Sequence, residues 1–146
     1  MRMLGLDVGD KTIGVAVSDL TNLIASGVTT IQRVGARKDA GKVMDYIREY
    51  EVGTVVIGLP LKLDGTESPQ TLKVRAFAEL LANKLRSSGA AMSQVKLVFQ
   101  DESLSTVTAE EVLIMANMQR KKRREIIDRQ AAIVILQSYL DEQPRP

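Results

Sequence analysis

Three acid-bearing positions carry most of the chemistry open to this chain. Asp7, the adjacent Asp101-Glu102 pair and Asp128 stand far apart in sequence, each at the end of an apolar run or inside one. A carboxylate in such surroundings needs a cation or hydrogen-bond donors to stay charged. The chain has no histidine and no cysteine, which removes imidazole bases, thiolate nucleophiles, disulfides and Cys/His metal sites. Hydrolysis would then rest on carboxylates and a hard cation. Mg²⁺ and Mn²⁺ prefer oxygen ligands, and two such ions ~3.5–4 Å apart clamp the attacking and leaving oxygens of a phosphodiester.

Asp7 closes the apolar run Met3-Leu4-Gly5-Leu6, and beside Gly9 it also reads as an ordinary turn residue. Asp101-Glu102 ends a second run and precedes a helical pattern, a place where acids are common in any case. Asp128 is harder to explain as a bystander. It lies within Ile126-Ile127-Asp128-Arg129-Gln130-Ala131-Ala132-Ile133-Val134-Ile135-Leu136, and helical spacing puts it on one face with Ala132, Ile135 and Tyr139. The small Ala131 and Ala132 would let that helix approach a sheet closely.

The elements that must position these acids follow from periodicity. Residues 3–8 and 12–18 read as strands joined by Gly9-Asp10-Lys11, with Ile13, Val15 and Val17 alternating at period two. Residues 24–33 give a third strand, and residues 37–50 a helix through Val43, Met44, Ile47 and Tyr50. Thr54-Val55-Val56-Ile57-Gly58 is a short continuous apolar strand of the kind buried on both faces. The loop from Leu59 to Glu67 leads to Ser68 as N-cap and Pro69 as first residue of a helix reaching about Arg86. Residues 95–99 form the fifth strand. Thr108 and Glu111 have capping-box spacing for a helix to about Met118, and a last helix runs from near Lys122 to Leu140. The order β-β-β-α-β-α-β-α-α implies an α/β fold, a five-stranded mixed sheet with helices on both faces. One domain over residues 1–142 accounts for the 146-residue chain, with 143–146 as a frayed tail. In such sheets ligands bind beyond the carboxyl ends of parallel strands. Asp7 and Asp101-Glu102 close two candidate strands of that kind, and the last helix brings Asp128 to the same edge.

Charge is uneven. Residues 120–129 contain Arg120, Lys121, Lys122, Arg123, Arg124 and Arg129 against Glu125 and Asp128, a local +4 in a chain of net +2. A basic run is most often a solvated face, but one abutting a semi-buried aspartate also suits phosphate binding. Five aromatic residues and no tryptophan make a base-stacking platform a poor expectation. No apolar run approaches the ~20 residues of a membrane span, and nothing at the N-terminus reads as a signal peptide, so a cytoplasmic location is expected.

Four blocks in order resemble the YqgF family, RNase H-like proteins known as pre-16S rRNA nucleases and Holliday-junction-resolvase-like proteins. They are Leu4-Gly5-Leu6-Asp7-Val8-Gly9 with Ile13-Gly14-Val15-Ala16-Val17-Ser18-Asp19; Gly58-Leu59-Pro60-Leu61 with Asp64-Gly65 and Gln70; Asp101-Glu102 with Leu104-Ser105-Thr106 and Ala109-Glu110; and Asp128 with Ala131-Ala132 and Ile135-Leu136-Gln137. The resemblance implies an RNase H-like fold and a nuclease centre at Asp7, Glu102 and Asp128, holding two Mg²⁺ or Mn²⁺ ions. Asp101 stays an accessory candidate, since adjacent strand residues point opposite ways and only one should face the metals. The family commonly carries arginine where Thr12 and Ser103 stand, so phosphate contacts would pass to Lys11, to Lys62 and Gln70 around the second block, or to Arg120, Lys121, Lys122, Arg123 and Arg124.

The expected activity is metal-dependent cleavage of structured nucleic acid, foremost at the 5′ end of the 16S ribosomal RNA precursor. Branched DNA is the alternative substrate, and a non-catalytic nucleic-acid-binding module of the same fold is another reading. RNA trimming needs only a monomer, whereas junction resolution calls for a symmetric homodimer. Asp7-Val8-Gly9 with Ile13-Gly14-Val15-Ala16-Val17 also resembles the first phosphate hairpin of sugar kinases, actin and Hsp70, but those proteins need two such lobes.

Overall fold

The computed structural model describes residues 1–102 and 120–144, and side chains in the last helix from Gln130 onward. Strand β1 (Arg2–Val8) turns back at Gly9, whose N–H donates to the Thr12 carbonyl at 2.9 Å, and β2 (Thr12–Ser18) follows. Next come β3 (Ala25–Gln32), α1 (Ala36–Glu49), β4 (Val52–Leu59) and α2 (Pro69–Arg86). A single-turn helix α3 (Ala90–Ser93), β5 (Lys96–Asp101) and the long helix α4 (Arg120–Glu142) complete the order. The strands lie side by side as β3-β2-β1-β4-β5. β1 pairs antiparallel with β2, and β2 with β3, while β1, β4 and β5 run parallel.

The five expected strands and the helices over 37–50 and 69–86 are present within a few residues of their expected ends. The last helix is longer at both ends than 122–140. α3 has no counterpart in the sequence reading, because four residues between Gly89 and Gln94 offer no period to detect. The helix expected over 108–118 lies outside the described residues. At the expected tail, Gln143 remains tied to α4 through its N–H to the Leu140 carbonyl and its side-chain amide to the Tyr139 carbonyl.

Helices cover both faces of the sheet. On one face Leu4, Leu6, Val8, Ile13, Val15, Val55 and Ile57 pack with Val43, Met44 and Ile47 of α1 and Val74, Phe77, Leu81 and Leu85 of α2. On the other, Ala16, Ala25 and Val56 pack with Ala132, Ile135, Leu136 and Leu140 of α4. Burial on both sides is why β4 is almost uniformly apolar and why β2 places the small Gly14 and Ala16, rather than polar residues, between Ile13, Val15 and Val17.

The seat of α4 depends on a missing side chain. A Cβ built on Gly5 would stand 2.7 Å from Leu136 Cβ and 3.0 Å from the Ala132 carbonyl oxygen. Ala132, wholly buried, provides the matching small surface on the helix, while its neighbour Ala131 is only half-buried. Gly5→Ala should therefore destabilise the fold by about 1–3 kcal/mol through overpacking, read as a lower urea midpoint at unchanged m-value. A wild-type midpoint would mean that α4 is not pressed against β1.

Candidate active site

Asp7 owes its orientation to strand alternation. Leu4, Leu6 and Val8 point to α1 and α2, so Gly5 and Asp7 point to the α4 face. The parallel register ends at Leu6 opposite Ile57, which sets Asp7 level with Gly58. On the far side of β4, the ladder to β5 ends at Leu59 opposite Asp101 and is extended by the Glu102 N–H donating to the Leu59 carbonyl at 3.0 Å.

The Glu102 side chain then crosses over β4. Its Oε2 lies 2.8 Å from where a Gly58 Cβ would stand, and that same Cβ would collide with Ile135 Cδ1. Gly58 thus leaves the gap through which a carboxylate from β5 reaches the space beside Asp7. Both acids are half-buried. The apolar run that marks this strand in the sequence ends at Gly58, and the residue lies inside β4 as expected; what periodicity does not show is why no side chain stands there.

Asp101 goes the other way. Leu97 packs toward the α1/α2 core and Phe99 lies under the Arg75 guanidinium at 5.2 Å, so alternation directs Asp101 to that side, where it is exposed. Asp128 lies on α4, one turn before Ala132 and two before Ile135. The direction of α4 follows from its contacts. Gln137 accepts from the Ala25 N–H at 2.9 Å, Ala25 pairs with Ser18, and Ser18 takes the Met3 N–H at 2.8 Å near the start of β1. Earlier turns of α4, position 128 among them, therefore extend toward the Asp7 end of the sheet. The side chains of Asp128 and of Arg120, Lys121, Lys122, Arg123 and Arg124 fall outside those described, as does Ser103.

Two loops frame this edge. In the β1–β2 turn Lys11 is exposed and Thr12 is buried. Arg33, which the sequence reading passed over, holds the turn. Its backbone N–H donates to the Lys11 carbonyl at 2.9 Å, its Nη1 to the Gly9 carbonyl at 2.8 Å and its Nε to Asp39 Oδ2 at 3.0 Å. The guanidinium also stacks over Phe77 at 5.2 Å. Asp39 is fully buried and accepts the Val34 N–H at 3.0 Å. Burial would raise its pKa, but the Val34 N–H and the Arg33 guanidinium outweigh this and hold it below the usual carboxylate range.

The second loop is a closed hairpin at the carboxyl end of β4. Leu61 bridges to Glu67, the Lys62 N–H donates to the Thr66 carbonyl at 2.9 Å, and Gly65 takes φ 82° to let its N–H reach the Lys62 carbonyl at 2.8 Å. Asp64 accepts from both the hydroxyl and the N–H of Thr66, which lowers its pKa. Ser68 and Thr71 form the capping box of α2, and the Thr71 hydroxyl also donates to the Pro60 carbonyl, fixing the hairpin base to the helix. Lys62 is exposed on this hairpin and Gln70 half-buried in the first turn of α2, both at the edge where Asp7 and Glu102 converge.

A profile of the RuvX family, described as Holliday junction resolvase, matches residues 1–142. The chain is 48% identical over 144 residues to the "Putative pre-16S rRNA nuclease" of Thermoanaerobacter pseudethanolicus, covering 98% of both chains. It is 49% identical over 140 residues to the protein of the same name from Clostridioides difficile, covering 96% of this chain and 94% of that one. Among solved structures, T. thermophilus RuvC in complex with a Holliday junction substrate superposes at TM-score 0.56 and 12% identity, over 96% of this chain and 94% of that chain. The Fowlpox virus resolvase in complex with Holliday junction DNA gives TM-score 0.55 and 13% identity, over 97% of each chain. At this identity the likeness establishes the fold, which is RNase H-like.

The Arg33–Asp39 pair carries a pH signature. A carboxyl with a lowered folded pKa adds stability that is complete above its unfolded value of ~3.9 and is lost as pH falls through the folded value. Asp39→Asn should cost about 3 kcal/mol near neutrality, because Arg33 is left beside an uncharged partner. The gap to wild type should narrow below pH ~4. Urea unfolding of both proteins from pH 7 to pH 3 measures this, and a pH-independent gap would dismiss the charged pair as its source.

Proposed function

We propose, because this chain belongs to the RuvX family of Holliday junction resolvases, that it is a divalent-metal-dependent endonuclease that trims the 5′ end of precursor 16S ribosomal RNA. Membership makes the chain a hydrolase of the nuclease class. The RNA substrate is the one in the names of relatives that match along nearly their whole length. No helix among the described residues is long and apolar enough to cross a membrane, and we take the cytoplasm as its place of action.

The observation that carries this reading is the Glu102 carboxylate lying over the bare Gly58 position, one strand away from Asp7 on the same face of the sheet. The donors there are carboxylate oxygens, in a chain without imidazole or thiolate, so a hard divalent ion fits them. Held by Asp7, Glu102 and Asp128, two Mg²⁺ or Mn²⁺ ions would supply an activated water and neutralise charge gathering on the phosphate.

The remaining work belongs to the chain. Asp7, on the central strand β1 and paired with Gly14 of β2, is the acid set most firmly in the sheet. Lys11 and Lys62, on loops at either side, hold flanking phosphates, and Gln70 offers an uncharged contact to the backbone. The 120–124 run adds long-range attraction for the polyanion. Ile135 and Leu136 close the floor of the site against water.

A second reading, resolution of four-way DNA junctions, is favoured by the family description and calls for a symmetric dimer with two equivalent centres. Parallel assays of a labelled 16S precursor fragment and a four-way junction with Mn²⁺ separate the two. Asp7→Asn and Glu102→Gln should each lower the cleavage rate by about 10²–10³-fold or more while circular dichroism stays unchanged. Asp101→Asn should stay within about threefold of wild type, less than 1 kcal/mol of barrier. Undiminished cleavage by Asp7→Asn would sink the assignment, and junction cleavage without precursor cleavage would replace RNA by DNA.

A further inference from the structure

The outer surface of α1 and α2 holds a feature that the nuclease centre does not use. An open groove of about 680 Å³ runs between these helices, lined by Lys38, Gly41, Lys42, Arg48, Lys84 and Ser87 among others. Arg37 adjoins it across Lys84 and Ser87. Asp45 is the one acid in its lining, and Arg48 already engages it at 3.4 Å. Arg37, Lys38, Lys42 and Lys84 have no ion-pair partner among the described residues. Four unneutralised cations along so short a stretch repel one another, and a bound polyanion would relieve that repulsion.

Gly41 is the independent observation. It lies in the interior of α1, where glycine is less favourable than alanine. No packing reason accounts for it, since a Cβ added there would meet nothing within 4 Å. Gly5 and Gly58 show the contrasting case, in which neighbours forbid a side chain. Gly41 lines the groove, with Lys42 next to it, Lys38 one turn before and Asp45, engaged by Arg48, one turn after. A glycine with space above it and cations around it suits a ligand that must come close to the helix, as a phosphate backbone does.

We propose that this groove is a second nucleic-acid-backbone site, and that the substrate of this enzyme is a folded RNA large enough to occupy both sites. The proposal rests on the nuclease reading above for the identity of the polyanion. The groove lies on the sheet face opposite α4 and at the C-terminal half of α2, whereas Asp7 and Glu102 lie where that helix begins. At 1.5 Å per residue the 18 residues of α2 set the Lys84 and Ser87 end of the groove roughly 25 Å from the start of that helix, while the Lys38 end lies nearer, beside Asp39. A strand of three nucleotides, about 10 Å long when stacked, cannot lie in the catalytic cleft and reach Lys84 at once; a folded precursor can.

Binding of the full chain to a labelled, folded 16S precursor fragment, in EDTA and over a series of KCl concentrations, tests this. Lys38→Gln/Lys42→Gln/Lys84→Gln should bind at least tenfold more weakly at 0.1 M salt. Its log–log salt slope should be shallower by about 2, at ~0.7 per cation lost. Gly41→Ala should raise the thermal midpoint yet weaken binding severalfold, a pairing that a purely structural glycine would not produce. Wild-type affinity in either variant overturns the proposal, as does an equal loss on a three-nucleotide single strand, which is too short to span both sites. A four-way junction run in parallel shows whether the same surface takes DNA.

The two readings fail separately. Asp7→Asn that still cleaves, beside a triple variant that binds weakly, overturns the nuclease centre and leaves the groove. A triple variant with wild-type binding, beside an inactive Asp7→Asn, overturns the groove alone.

Discussion

The approach of α4 to the sheet is the constraint on which the site depends. An α-helix with side chains normally stands well clear of a sheet, yet here Leu136 and the Ala132 carbonyl occupy the space that a side chain at Gly5 would need. Gly58 repeats the arrangement one strand over, where Ile135 and the Glu102 carboxylate share the volume that a Cβ would fill. Two glycines and one alanine therefore set how near the third acid's helix lies to the strand acids. The proposed metal site would tolerate only small errors in that spacing. The price of this closeness is intolerance: the positions that align the site accept no larger residue.

A second fixed point lies on the opposite face. Arg33 draws together the β1–β2 turn, the entry to α1 and the Phe77 ring of α2, and Asp39 keeps its charge satisfied in a buried place. Buried ion pairs are weak contributors to net stability, because desolvation offsets most of the attraction. What this one contributes is position. Asp7 stands two residues before Gly9, whose carbonyl Arg33 grips, so the end of β1 is held from below while α4 covers it from above. The exposed Lys73–Asp10 pair on the same turn, at 3.2 Å, adds little beside it.

Most of the fold was legible because its period is strong. The alternation of Ile13, Val15 and Val17, the continuous run in β4 and the Ser68-Pro69 cap each name an element without tertiary information. The candidate acids were legible for a different reason, since charge in an apolar run is conspicuous. What could not be read was anything created by contact between distant segments. Gly58 was legible as the end of a strand but its bare Cβ position was not, because its neighbours in space are Glu102 and Ile135 rather than Leu59 and Pro60. Arg33 and Asp39 carry no period or motif that singles them out in the sequence, because the turn and ring they engage lie elsewhere in the chain. The choice between Asp101 and Glu102 shows both sides: alternation says that one of the two faces Asp7 and the family resemblance favours Glu102, while the physical reason lies in tertiary contacts, Leu97 and Phe99 taking the other face and the Glu102 carboxylate lying over Gly58.

The distribution of chemistry over the molecule bears on selectivity. Carboxylates at strand ends are nearly indifferent to the sugar of the nucleic acid they cut, since the phosphodiester is common to RNA and DNA. Discrimination must then come from surfaces that read shape at a distance. The hairpin at Leu61–Glu67 is rigidified by Asp64, Thr66 and Thr71 and stands on one side of the site. The α1–α2 groove stands on the far face. A rigid body with separated contact points selects a substrate by whether its backbone can reach all of them at once, and folded RNA meets that demand through its shape rather than its sequence.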